Sequence, residues 1–222
     1  MSAEAFIRIP FDSREDWLIG RKAGLGGSDA ATVLGRNPWK TNQELFLEKI
    51  GKRTSPDISS NEAVRYGSEA ESSLRRLFRL DYPGYKLYYK NFEILQSAHL
   101  PWLQASVDGE LTDRHGRKGI LEIKTTRIAS SRQGESWAGK VPDNYYCQVL
   151  HYLLVTGYEF AVLKAQLKYD YGNNSSLKLV TRHYHFERSE LEKDMKMLLA
   201  AEMKFWAQVE AGIEPPLILP SI

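Results

Sequence analysis

The spacing of hydrophobic residues changes along the chain, helical in the first third and alternating in the middle. Ser13 precedes a short amphipathic stretch, and Ser28 begins another after Gly24-Leu25-Gly26-Gly27. Thr41-Asn42-Gln43-Glu44 is a capping-box pattern ahead of Leu45-Phe46-Leu47, stopped by Gly51. A longer helix is predicted from about Asn61 to Leu80. Segments rich in Tyr, Val, Ile and Leu then predict strands at Lys86 to Leu95, Trp102 to Val107, Gly119 to Thr125, Phe160 to Tyr169 and Leu177 to Phe186. Pro142 to Thr156, closed by Gly157, reads as a helix between strands. Ser189-Glu190-Leu191-Glu192 opens a last helix that ends at Gly212. Helices, three strands, a helix, two strands and a helix imply an α/β (α+β) fold, with a central mixed β-sheet flanked by helices.

Composition narrows the class. The chain has 222 residues, enough for a sizeable core, and no internal repeat. We read residues 1–222 as one domain, with a helical N-terminal part (about 1–82), a sheet core (about 83–186) and a C-terminal helix and tail (187–222). Apolar residues at 42% and charged residues at 26% exclude a disordered or collagen-like chain. The formal charge of +2 gives no overall bias toward phosphate, so a nucleic-acid binder must gather its cations on one surface. Cys147 has no second cysteine to pair with. Met1-Ser2-Ala3-Glu4-Ala5 lacks the layout of a secretion signal, and no apolar run reaches the roughly 20 residues that cross a bilayer. A cytoplasmic protein with no membrane partner is expected. The apolar tail Pro215-Pro216-Leu217-Ile218-Leu219 cannot extend the last helix and has to pack on its own chain or on a neighbour.

Candidate chemistry centres on Gly119-Ile120-Leu121-Glu122-Ile123-Lys124-Thr125. Alternation puts Leu121 and Ile123 on one face and Glu122 and Lys124 on the other. Upstream, Ala105-Ser106-Val107-Asp108-Gly109 ends a strand that can return through Arg114-His115-Gly116-Arg117 and set Asp108 beside Glu122. Two adjacent carboxylates repel unless a hard divalent cation lies between them, and Mg²⁺ is the natural ion. On the helix from Asn61, Glu71 shares a face with Gly67, Leu74 and Phe78, where an apolar residue is expected. A carboxylate there needs a cation or water within reach. A surface salt bridge would produce the same Glu122 and Lys124 spacing; Asp108 and Glu71 tip the balance toward a metal site. His183 and His185 share a strand face and are taken as structural or solvent-facing. Trp17, Trp39, Trp102, Trp137 and Trp206 are expected in the core or in a subunit contact.

Taken in order, these motifs resemble the PD-(D/E)xK nuclease superfamily and its YqaJ-like viral recombinase branch, which includes the exonuclease of phage lambda. The matches are Arg21 with Gly26-Gly27-Ser28, Tyr66-Gly67 through Glu71, Ser106-Val107-Asp108-Gly109, Leu121-Glu122-Ile123-Lys124, and Gln148 through Tyr152, spanning roughly residues 14 to 158. Val107 stands where such motifs often carry proline. The resemblance implies a restriction-endonuclease-like core and a Mg²⁺-dependent exonuclease, with Mn²⁺ as a substitute. Such an enzyme degrades one strand of duplex DNA from a 5′ end, as a ring-shaped homotrimer. It would leave 3′ single strands for a single-strand annealing protein in phage-type recombination, in a bacterial cytoplasm. Asp108, Glu122 and the main-chain carbonyl of Ile123 would hold the metal, with Glu71 binding directly or through water. Lys124 would orient or help deprotonate the attacking water, or balance charge. Arg21 and Ser28 would bind the DNA 5′-phosphate at the glycine loop, which otherwise reads as an ordinary serine cap before a helix, and Asp29 counts against the pocket. Gln148 and Tyr152, four apart on one helix, would contact DNA or support the acids. Arg127 and Arg132, with Ser130 and Ser131, would meet phosphates or simply lie in a solvated loop. Two alternatives remain open: a restriction-like or structure-specific endonuclease, and a non-catalytic DNA-end-binding module.

Overall fold

The computed structural model describes residues 5–170 and 178–219. Strand β1 (Phe6–Pro10) precedes helices α1 (Arg14–Lys22), α2 (Gly27–Val33), α3 (Asn42–Lys49) and α4 (Glu62–Asp81). Strands β2 (Lys86–Tyr88), β3 (Glu93–Ser97), β4 (Gln104–Ala105), β5 (Gly109–Thr112) and β6 (Lys118–Ile128) follow. Then come α5 (Ser131–Glu135), α6 (Asp143–Thr156), β7 (Phe160–Tyr169), β8 (Lys178–Glu187), a single 3-10 turn and α7 (Glu192–Ala211). The caps explain the helix starts. The side chains of Ser13, Thr41 and Asn61 accept the amide protons of Asp16, Glu44 and Ala63, and the Glu44 carboxylate accepts that of Thr41. Gly157 and Gly212 end α6 and α7 in the left-handed conformation at φ 67° and 65°.

A five-stranded sheet in the order β2-β5-β6-β7-β8 forms the centre. β6 and β7 run parallel through ten paired residues and are joined by the α6 crossover, while the other neighbours are antiparallel. The sheet is therefore mixed and flanked by helices. Register sorts the side chains. Ile120, Ala161, Leu163 and Ala165 pack on Val149 and Leu153 of α6, whereas Leu121, Ile123 and Val162 pack on Leu74 and Phe78 of α4. Burial on both faces accounts for the nearly unbroken apolar run of β7.

The structure revises several sequence expectations, among them the strand expected to end at Asp108-Gly109, where β5 instead begins at Gly109. β1 was not foreseen in the helical first third; it pairs with β3 in a second sheet, β1-β3-β4. The strand expected over Lys86 to Leu95 breaks between β2 and β3, where Phe92 turns the chain at φ 54°, and its halves join different sheets. Of the strand expected over Trp102 to Val107, only Gln104–Ala105 forms a strand, with Leu103 in an isolated bridge to Leu25. Met1 through Glu4, Leu177 and Pro220 lie outside the described residues. The tail packs on its own chain: Asn42 donates to Pro216 O at 2.8 Å and accepts from Ile218 N at 2.9 Å, and Gln43 donates to Pro215 O at 3.0 Å. Among the described residues no helix is long and apolar enough to cross a membrane.

His183 stacks edge-on against Tyr82 and His185 lies flat on Phe160, so both support the sheet. Trp137 is buried, and Trp102 stacks on Trp206 at 5.7 Å. Trp39 lies outside the core, 77% exposed at the rim of a cleft.

Candidate active site

The β5–β6 hairpin and the first turns of α4 and α6 wall a cleft of about 880 Å³. Its lining includes Glu71, Asp108, Glu122, Ile123 and Lys124, together with Arg21, Ser28, Gln148 and Tyr152. β5 pairs Gly109 with Leu121, which carries Asp108 to the level of Glu122 and Ile123. Asp108 Oδ2 accepts the Ile123 N–H at 2.7 Å, fixing the carboxylate against the strand that carries Glu122 and Lys124. Glu122 is only 2% exposed. Its Oε1 accepts from Lys124 Nζ at 2.6 Å and from Gln148 Nε2 at 2.8 Å, while its Oε2 is buried with no partner among the described residues. Gln148 Nε2 also donates to the Tyr152 hydroxyl at 2.8 Å, and that hydroxyl donates to Ser106 O at 2.8 Å. A polar chain thus runs from the Asp108 loop through α6 to Glu122. Gln148 and Tyr152 support the acids, and Tyr152 is itself buried.

Electrostatics show the cost of this grouping. Burial and the nearby Asp108 charge push Glu71 up to about 7 and Glu122 up to about 8. Burial raises Asp108 too, against the pull of Lys124, the Ile123 amide and Arg75. Lys124 moves the other way. Burial alone would lower it, but Glu122 and Asp108 hold its ammonium above the usual lysine value, with the Tyr145 ring 4.9 Å away. The Lys124 amine is therefore a fixed positive charge between two acids.

No three His, Cys, Asp or Glu side chains among the described residues are gathered, as placed, into an arrangement that would hold a metal ion. Glu71 is turned onto Arg75, and Lys124 takes one oxygen of Glu122. The donor chemistry nonetheless suits a hard divalent cation. Glu122 Oε2 has a free lone-pair set in a buried position, and neighbouring carboxylates raise one another's proton affinity, a conflict that a doubly charged ion resolves.

In the same cleft, the Arg21 guanidinium stacks over Trp17 at 4.6 Å, and Ser28 is exposed. Asp29, which spoke against an anion here, accepts from Gly26 N and pairs with Lys49 at 2.8 Å. Its charge is already satisfied within the protein. Gly27 is required by close approach: a Cβ there would stand 2.4 Å from Tyr152 Cε1 and 2.9 Å from Gln148 Cγ. Gly27→Ala should displace Gln148 from Glu122 and lower turnover about tenfold or more, with unchanged kcat as the contrary result.

Two expected contacts lie elsewhere. Arg127 pairs with Asp170 at 2.9 Å beside a neighbouring groove, and Arg132 is exposed on α5; neither lines the cleft. Ser130 caps α5. Sequence reasoning missed Arg75, Tyr145 and Tyr89. The spacing of Arg75, one turn after Glu71, was the available signal.

A family model described as the YqaJ-like viral recombinase domain matches residues 16–159. YqaJ of Bacillus subtilis (strain 168) is 34% identical over 217 residues, covering 96% of this chain and 62% of that protein, so the chain spans less than two thirds of its relative's length. Among solved structures, an alkaline exonuclease from Laribacter hongkongensis superposes with a TM-score of 0.65 at 21% identity, covering 90% of this chain and 94% of that one. The structure of the LHK-Exo complex with dAMP gives 0.62 at 18% identity, with the same coverage. At these identities the likeness fixes the fold.

Proposed function

Because the chain belongs to the YqaJ-like viral recombinase domain family, we propose that it is a Mg²⁺-dependent 5′-to-3′ exonuclease of duplex DNA, with Mn²⁺ able to substitute. The observation that carries this reading is the set of Glu71, Asp108, Glu122 and Lys124 lining one cleft, with a buried carboxylate oxygen on Glu122 that has no partner among the described residues. Asp108, Glu122 and the Ile123 carbonyl would hold the cation, with Glu71 directly or through water; when bound, it polarises the scissile phosphate and offsets charge on the leaving oxygen. Lys124, held protonated, donates to the attacking water or to a phosphoryl oxygen and so orients rather than deprotonates it. Glu71 is kept aimed into the cleft by Arg75. Gln148 and Tyr152 keep Glu122 in place throughout.

The rest of the cleft fits a strand end. Arg21 and Ser28 take the 5′-phosphate. Trp39, with exposed Ile58 and Val64 on the same rim, offers apolar faces to bases. In the cell, a homotrimer working in the cytoplasm would supply 3′ single strands to an annealing protein. The experiment is digestion of linear and closed circular duplex, labelled at either end, with and without Mg²⁺. Loss of the linear form from its 5′ ends, with the circle intact, supports the reading; nicking of the circle identifies an endonuclease instead. Arg21→Ala should abolish any preference for 5′-phosphoryl over 5′-hydroxyl ends, and an unchanged ratio would remove Arg21 from the phosphate pocket.

A further inference from the structure

Arg75 lies one turn beyond Glu71 on α4 and is 9% exposed, an uncommon burial for an arginine. Three groups hold its guanidinium. Nη2 donates to Glu71 Oε1, Nε donates to the main-chain oxygen of Asp108 at 2.6 Å, and the plane lies 3.3 Å from the centroid of the Tyr89 ring. One planar cation therefore joins the helix that carries Glu71 to the loop that carries Asp108, and an aromatic face fixes its tilt. The acids themselves would repel one another across this gap. Lys124 answers that repulsion from the Glu122 side; Arg75 answers it from the Glu71 side.

We propose that Arg75 is a positioning residue whose fixed charge holds Glu71 and the Asp108 loop in register and sets how tightly the cleft takes up a divalent cation. This rests on the nuclease reading for its metal but not for its geometry. The guanidinium and a bound cation compete for the same electron pairs on Glu71, so the resident charge weakens cation uptake while it keeps the carboxylate aimed. Removing the charge and removing the shape should then have different effects. Arg75→Gln deletes the charge, leaving Glu71 and Asp108 without their shared counter-ion. Arg75→Lys keeps the charge but loses the fork and the stacking plane.

The test combines isothermal titration of DNA-free protein with Mn²⁺ at pH 9 and steady-state digestion of linear duplex at saturating metal. The Gln variant is expected to bind Mn²⁺ about fivefold or more tightly than the parent, and the Lys variant to match the parent within about twofold. Both should lose turnover at least about tenfold with KM for DNA little changed. A Lys variant with parental metal affinity also shows that the fold survives. If Gln, Lys and parent bind Mn²⁺ alike, or Gln binds it more weakly, the proposal is overturned. A parent that binds Mn²⁺ yet leaves DNA intact would instead overturn the nuclease reading, and the comparison of metal affinities would still decide the role of Arg75.

Discussion

Glu122→Ala is expected to reduce digestion of linear duplex on the order of 10³-fold or more while the protein remains folded. The carboxylate provides the unpartnered Oε2, anchors Lys124 at 2.6 Å and receives Gln148 at 2.8 Å, so its loss removes that oxygen and disconnects two groups at once. Stability should not suffer in proportion. Burial and Asp108 already push Glu122 up to about 8, so the folded state is working against its charge. Lys124→Ala should be as damaging to turnover, because it leaves Glu122 and Asp108 facing each other without their cation. Duplex binding by Arg21, Ser28 and the apolar rim does not pass through either residue and should persist. Residual cleavage above about a tenth of the parent in either variant would remove that residue from the chemistry. The same groups set a pH trend. Glu71 and Glu122 bind protons more tightly when folded than when unfolded, so without metal the melting temperature should fall as pH rises from about 5 through 8. Saturating Mg²⁺ should flatten that slope, and a Glu122→Gln protein should show less of it even in chelator.

Much of this site could be read before any coordinates, for a definite reason. Alternation in a strand is strictly local, so Glu122 and Lys124 were bound to share a face; the hairpin does bring Asp108 alongside, although its first strand begins at Gly109 rather than ending there. Glu71 was found through helical spacing, and the capped starts of α1, α3 and α4 through side chains that bond within their own first turn. What stayed hidden depends on contacts between distant segments. Arg75 looks like any arginine on a polar helix until Asp108 O and Tyr89 close around it. Asp29 argued against an anion pocket until Lys49 supplied its counter-charge. The single strand expected over Lys86 to Leu95 could not reveal that Phe92 would turn it between two sheets. β1 follows no helix and is a short edge strand, so only its pairing with β3 defines it.

His151→Leu is expected to destabilise the protein by about 3–5 kcal/mol, lowering its melting temperature by about 6–20 °C. The ring is fully buried between α6, α7 and β4, with Nδ1 2.7 Å from Glu202 Oε1 and Nε2 2.7 Å from Gln104 O. Both partners accept hydrogen bonds, so the ring satisfies them together only when it carries two protons. Burial opposes that charge, but Glu202 and the Gln104 carbonyl outweigh it and raise the affinity of His151 for its proton. Leucine leaves the Glu202 carboxylate buried and unpaired, the most expensive part of the change. Glu202→Leu alone should be similarly harmful, since it strands the imidazole beside a single acceptor. The double variant should recover most of the loss, because two apolar side chains of similar volume replace a desolvated ion pair and leave only the Gln104 carbonyl to satisfy. Thermal melts at pH 6 of the parent, both single variants and the double form the required cycle. A double variant whose loss equals the sum of the two single losses would show that the two side chains act independently. Because the folded state raises the histidine's pKa, the pair contributes fully below about 6.5, the ordinary histidine value, and its contribution declines as pH climbs through the folded value. The advantage of parent over double variant should therefore shrink in alkaline buffer. Tyr152 is the next residue on α6 and Gln148 lies three residues before His151, so loosening this joint should also slow turnover at temperatures well below the melt, through the hydrogen bond that Gln148 gives to Glu122.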